Sequence, residues 1–213
     1  MNSLLLSMLF GLLFVSPQED VSAWKEVKNE NGIIVSTRDN SLSNLKEVKA
    51  TVVVESSLST LVFLIKDAKS QPEWAYKIIK AKEVKSFNNF HWVAYTVTEM
   101  PWPITNRDDV TDCRLTQYND SSIFIMCKTV DGYVDKNEDC IRIPFIRTSW
   151  RFIPLESGKV KVVFQLLLKM GGSTPDWVAN LFIDEGPYKT INNLKNIAKK
   201  DKYKNVKLDY IKE

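Results

Sequence analysis

Side chains able to do chemistry are few in this 213-residue sequence. They are one histidine, His91, three cysteines, and a run Arg107-Asp108-Asp109 close to Thr111 and Cys113. A single histidine excludes a histidine-rich metal site, and any Cys/His pair would have to use it. On a strand beside Trp92 and Tyr95 it reads as a surface or hydrogen-bonded residue. There is no Walker loop, no Gly-x-Ser-x-Gly elbow and no HExxH. Gly171-Gly172 is too short to cradle a phosphate and reads instead as the exit from a strand. The expectation is therefore a protein without catalytic residues, metal or cofactor.

The cysteines carry a second reading. A turn centred on Asp120 places Cys113 and Cys127 at equal distances along two antiparallel strands, so they sit opposite each other on one face, as Leu115 and Ile125 do. Two states are open to such a pair, a cross-strand disulfide or two buried thiols. Cys140 lies in a polar loop and is expected to stand alone.

The elements that position these residues follow from periodicity. Trp24 to Lys28 and Ile33 to Arg38 form a hairpin around Asn29-Glu30-Asn31-Gly32. Leu45 to Glu55 alternates apolar and polar residues as a half-buried strand does. Ser56-Ser57 then precedes a serine-capped helix whose apolar positions are Leu58, Leu61, Val62, Ile65 and Ala68, and a short turn of helix follows at Pro72-Glu73-Trp74-Ala75. Six strands are predicted next, at 78–87, 91–99, 107–118, 122–130, 141–154 and 159–169. In the last, Val160, Val162, Phe164, Leu166, Leu168 and Met170 share a face and lysines occupy much of the other. One side of the sheet is therefore wet and the other apolar. Thr174-Pro175-Asp176 opens a terminal helix bearing Trp177, Val178, Leu181, Phe182 and Tyr188, with a kink expected at Gly186-Pro187.

Composition supports one domain: 44% hydrophobic, 26% charged, with 7 Gly, 8 Pro and no linker-like stretch. The apolar run Leu4 to Val15, followed by Val21-Ser22-Ala23, fits a secretory signal peptide over residues 1–23. The protein is accordingly expected to be exported, to the periplasm or outside the cell. The domain then runs from 24 to 200, with a basic tail at 201–213; the Lys-rich stretch from Lys195 to Lys207 is read as a solvated helix end. Loss of Glu19 and Asp20 with the leader raises the net charge from +3 to +5. That mildly basic balance suits transient contact with an anionic membrane surface, while the scatter of the positive residues does not call for nucleic acid.

Strands, a helix, many antiparallel strands and a long terminal helix predict an α+β fold. A curved antiparallel sheet would grip the last helix, and its concave face is too wide for one helix to fill. An internal hydrophobic cavity is the expected consequence.

Several spaced motifs sharpen this. Trp24 with Asn31-Gly32-Ile33-Ile34-Val35 and Arg38, Asp67 before Pro72-Glu73-Trp74, and Pro103-Ile104-Thr105-Asn106-Arg107-Asp108-Asp109-Val110 occur in order. They are followed by Arg142-Ile143 ahead of Trp150 and Pro154, and by Gly171-Gly172 with Pro175, Trp177 and Asn180. Together they resemble the START family, the steroidogenic-acute-regulatory-protein-related lipid-transfer domains. The resemblance implies a helix-grip fold and a tunnel for one lipid-like or other apolar molecule, closed by the terminal helix and a loop near Arg107. The same fold includes polyketide aromatase/cyclases and hormone receptors, so a cyclase-like or hydrolase-like enzyme and a ligand-gated interaction module are the alternatives.

The family often places a second arginine six residues after the first; here that position is Cys113, and Arg114 falls on the opposite face. A mostly apolar tunnel with a different polar anchor is expected, the candidates being Tyr95, Glu99, Asp109 and Thr111. Arg107 is expected at the mouth, and Trp102, between two prolines, on a closing or membrane-touching loop. Cys113, Ile125, Phe164, Leu166, Leu168, Trp177, Leu181 and Phe182 complete the expected lining of a monomeric carrier.

Overall fold

A computed structural model describes residues 23–40, 45–175, 178–179 and 181–213. The leader expected at 1–23 lies, but for Ala23, outside the described residues. Among the described residues, ten strands form one antiparallel sheet apart from a single parallel pairing. They are β1 (Lys25–Glu30), β2 (Ile33–Asn40), β3 (Leu45–Glu55), β4 (Ile78–Asn88), β5 (His91–Thr98), β6 (Asn106–Gln117), β7 (Ile123–Thr129), β8 (Cys140–Arg142), β9 (Phe145–Pro154) and β10 (Lys159–Lys169). Their spatial order is β1-β2-β3-β10-β9-β7-β6-β5-β4, with β8 alongside β6.

Local sequence explains the turns. Asn31 and Gly32 both take positive φ, so the first hairpin closes in two residues rather than the four expected. The strand predicted at 141–154 divides at Ile143-Pro144 into β8 and β9. Pro144 cannot donate to a ladder, and β8 leaves to pair in parallel with β6.

Helix α1 (Leu58–Lys66) starts where predicted: the Ser57 hydroxyl accepts from the Thr60 amide at 3.1 Å. Leu58, Leu61, Val62, Leu64 and Ile65 are buried in the main core. A 3-10 turn leads into α2 (Gln71–Trp74), which buries Trp74. The terminal helix α3 (Gly186–Ile197) continues directly from a π-helical turn at Leu181–Glu185. Pro187 has no amide to bond the carbonyl four residues back, and the turn ahead of it widens instead of breaking. Ile191, Leu194 and Ile197 face the core, and α3 packs on β2, β3 and β10.

The Lys-rich stretch 195–207 is solvated only in part, and the basic tail at 201–213 packs on the domain. The lysines point outward, but Tyr203 is fully buried and Ile211 nearly so, both within the main core. Thr60 donates its hydroxyl hydrogen to the Tyr203 carbonyl at 2.8 Å. The Glu213 carboxylate accepts from the Leu58 amide at 2.7 Å and the Ser59 amide at 3.0 Å. A negative side chain thus satisfies two free amides at the positive end of α1. Glu213→Ala should cost about 1 kcal/mol, as loss of a helix cap does, and lower Tm by roughly 2–4 °C. An unchanged thermal midpoint would show that this contact contributes nothing.

Candidate functional site

The concave face of the sheet is not filled. Between the β5, β6, β9 and β10 side of the trough and α3 lies a cavity of about 190 Å³. Its position follows from strand parity. On β5 the inward residues are Trp92, Ala94, Thr96 and Thr98; on β6 they are Arg107, Asp109, Thr111 and Cys113. β9 contributes Ile146, Thr148 and Trp150, and β10 contributes Phe164, Leu166 and Leu168, with Met170 just beyond. Trp74 of α2 faces the same space, while Phe182, Pro187 and Thr190 close it from the terminal helical segment.

Cys113 and Cys127 are direct cross-strand partners and form a disulfide, with their Cα atoms 4.1 Å apart, in the cavity wall. Of the two states open from the sequence, the structure has the bonded one. Cys140 is free, as expected.

Arg107 and Asp108 are both buried and do not pair with each other. Asp108 faces away from the cavity, where Arg142 donates to its two oxygens, each at 3.0 Å. Arg107, only 1% exposed, lines the cavity. Its guanidinium donates to the carbonyls of Thr105, Met170 (3.3 Å) and Gly171 (3.3 Å), and to the Thr174 hydroxyl at 2.9 Å. Burial pushes its pKa down from the ordinary value. The arginine therefore clasps the exit of β10 to the start of β6. Gly171 and Gly172 make that approach geometrically available. A Cβ on Gly171 would lie 2.8 Å from Pro144 Cδ, and one on Gly172 3.0 Å from Ile141 Cδ1, and both glycines take positive φ.

Asp109 is the acid of the cavity. It is 5% exposed, and among the described residues its hydrogen-bond donor is the hydroxyl of its cross-strand partner Thr96. Burial, opposed by that hydrogen bond, raises its pKa from 3.8 to about 6; Asp108 adds to the rise and Arg142 opposes it. Trp74 presents the complementary feature. Its indole Nε1–H is buried and, among the described residues, is the one buried side-chain polar atom without a partner. Trp92 and Trp150, with Trp74, make the wall strongly aromatic.

Of the lining residues expected from sequence, Arg107, Thr111, Cys113, Phe164, Leu166, Leu168 and Phe182 are in the wall. Four are not. Tyr95 has the opposite parity on β5 and packs with Val93, Val97 and Val110 on the outer face, where Asn137 donates to its hydroxyl at 3.4 Å. Glu99 is half exposed and paired with Lys77 at 2.8 Å. Trp102 is 92% exposed, beyond the rim. Ile125 shares the cavity's parity but lies one rung past the disulfide, where side chains fill the core. Trp177 and the side chain of Leu181 lie outside what the structure describes. The sequence reading passed over Trp74, Trp92, Thr96 and Trp150. The parity of Thr111 and Cys113 would have selected Trp92 and Ala94 had the β5–β6 register been known, but the proline-bearing loop between these strands hides it.

Fold and cavity define a helix-grip protein enclosing a mostly apolar space. Residues 12–203 match the START domain model, and the chain belongs to the START domain family. It is 27% identical over 198 residues to an uncharacterized protein of Pseudomonas aeruginosa, covering 93% of this chain and 96% of that one. A STAR-related lipid transfer protein from Xanthomonas axonopodis superposes with a TM-score of 0.77 at 26% identity, over 84% of this chain and all of that structure. Human StAR-related lipid transfer protein 5 gives 0.75 at 20% identity, covering 83% and 86% of the two chains. An aromatase/cyclase from Streptomyces shares the fold more distantly, with a TM-score of 0.54 at 10% identity over 71% of this chain and 92% of that one.

The raised pKa of Asp109 has a sign. The folded state holds this proton more tightly than the unfolded chain, so stability falls as pH rises from about 4 to about 6, and the full penalty stands above that. Asp109→Asn should therefore stabilise the unliganded protein at neutral pH by up to about 3 kcal/mol. The gain should vanish below pH 4, where both forms are neutral. Urea unfolding of both proteins across this pH range checks it; a gain independent of pH would assign the effect to packing.

Proposed function

We propose that this protein binds one hydrophobic, lipid-like molecule in the cavity and carries it between membranes. The observation that carries the reading is the aromatic- and aliphatic-walled space in a START-family fold, similar in shape to proteins described as lipid transfer proteins. Burial of apolar ligand surface would supply the affinity, at about 25 cal/mol per Å². The volume is below the roughly 300–1,000 Å³ of common ligand pockets, and suits a ligand with one acyl or alkyl chain.

An enzymatic role draws less support. The described wall offers one titratable carboxyl, and His91 sits off the cavity, 2.6 Å from Asp112. A monomer acting outside the cytoplasm fits the apolar N-terminal run, and a disulfide is at home in an oxidising compartment.

Trp102 supports contact with a lipid surface. It projects into solvent from Pro101-Trp102-Pro103, while Met100 of the same loop packs with Met170, Val178 and Phe182 under the terminal segment. Indole rings favour the membrane interface, and this one stands on the loop that touches the cavity's closure.

Protein purified from its host should release extractable lipid, seen as a mass difference by native mass spectrometry. Preparations that are always empty and take up neither sterol, fatty acid nor phospholipid would remove the proposal. Trp102→Ala should slow ligand transfer between vesicles several-fold and leave ligand occupancy in solution unchanged. Equal transfer rates would dissociate Trp102 from membrane contact.

A further inference from the structure

The polar groups of the cavity wall are mostly already bonded within the protein. Gln71 donates to the Ile65 carbonyl at 3.1 Å, and Thr190 accepts from the Tyr76 amide at 3.2 Å. Thr96 is bonded to Asp109. Arg107, the wall's cation, donates to four oxygens of its own chain. Two groups stand apart from this pattern. Among the described residues the buried Trp74 Nε1–H at the cavity has no acceptor, an unfavourable state for a polar group removed from water. The Asp109 carboxyl is buried with one hydroxyl as its donor. One group calls for an acceptor, the other for a donor.

An anionic head group could accept from the indole but has no hydrogen to give Asp109. Its charge would face Asp109, and the arginine that could balance it is held by the carbonyls of Thr105, Met170 and Gly171. A cationic head would pair with Asp109 but offers nothing to the indole donor. A neutral hydroxyl both donates and accepts.

We propose that Trp74 and Asp109 form the polar subsite of the cavity and select an apolar ligand bearing a neutral hydroxyl, over chains ending in carboxylate or ammonium. This rests on the lipid-binding reading and adds to it the chemistry of the ligand's polar end. The raised pKa of Asp109, about 6, fits a carboxyl that an uncharged partner can satisfy at little electrostatic cost. Asp108 and Arg142 on the outer side of β6, and Arg107 on the inner side, are the charged groups around it.

The test uses four probes of equal chain length at neutral pH: octanol, octanoate, octylamine and octane, measured by equilibrium dialysis. Octanol is expected to bind wild-type protein more tightly than octanoate or octylamine. Trp74→Phe should weaken octanol about fivefold, the worth of one net hydrogen bond, and leave octane within twofold. Asp109→Leu should weaken octanol and leave octane equal or tighter, which also shows that the variant cavity is intact. Tighter binding of octanoate or octylamine than octanol would overturn the proposal. So would an octanol-to-octane ratio unchanged in both variants, and in either case binding of octane keeps the lipid-binding reading standing. If octane, octanol and the charged chains all fail to bind, that reading falls and this one with it.

Discussion

A single α-helix, about 10–12 Å across with its side chains, cannot fill the trough of a strongly curved sheet. The rest of the molecule answers to that mismatch. Helix α3 settles on β2, β3 and β10, where Ile191, Leu194 and Ile197 reach the sheet. The opposite wall, made by β5, β6 and β9, is left facing empty space. Helix α1 and the chain's last residues close the core elsewhere, with Leu58, Leu61, Tyr203 and Ile211 packed into it. The cavity is thus what remains when two curved surfaces of different radius are pressed together.

Keeping such a space bounded takes fixed points, and most are polar. The Arg107 guanidinium joins the start of β6 to the exit of β10 through backbone carbonyls. The Asp108–Arg142 pair binds β8 to the outer side of the same strand. Arg142 also holds the carbonyls of Val134 and Asp135, so the loop before β8 is fastened from below. The disulfide fixes β6 to β7 within the wall. These contacts are local, directional and largely buried, which suits them to holding shape around a void that apolar packing alone would collapse.

Much of this was readable from the sequence. Alternation in β3 and β10 gave their faces and, with the terminal helix, the grip itself. The turn at Asp120 gave the Cys113–Cys127 register, because a short hairpin leaves little freedom. The β5–β6 register was not readable, since seven residues with two prolines separate those strands, and a slip of one residue inverts every side chain. That is why Tyr95 was expected inside and Thr96 was not. Tail residues 201–213 hid for another reason. Their four lysines suggest a wet surface, whereas their anchoring depends on two widely spaced side chains, Tyr203 and Ile211, in a stretch without regular helix or strand. The unpartnered indole of Trp74 has no signature in sequence at all, because it is defined by what surrounds it.

The pairing of β3 with β10 sets the order of events during synthesis. Val48, Ala50, Val52 and Val54 meet Leu166, Phe164, Val162 and Val160 across more than a hundred residues of intervening chain. Until β10 has been made, β3 has a neighbour on one side only, with an open edge and an apolar row uncovered. Non-local closure of this kind makes folding slow, and the nascent chain remains in an exposed, adhesive state for most of its synthesis. β3 is therefore the segment whose edge and apolar row stay open to wrong partners until the last strand arrives.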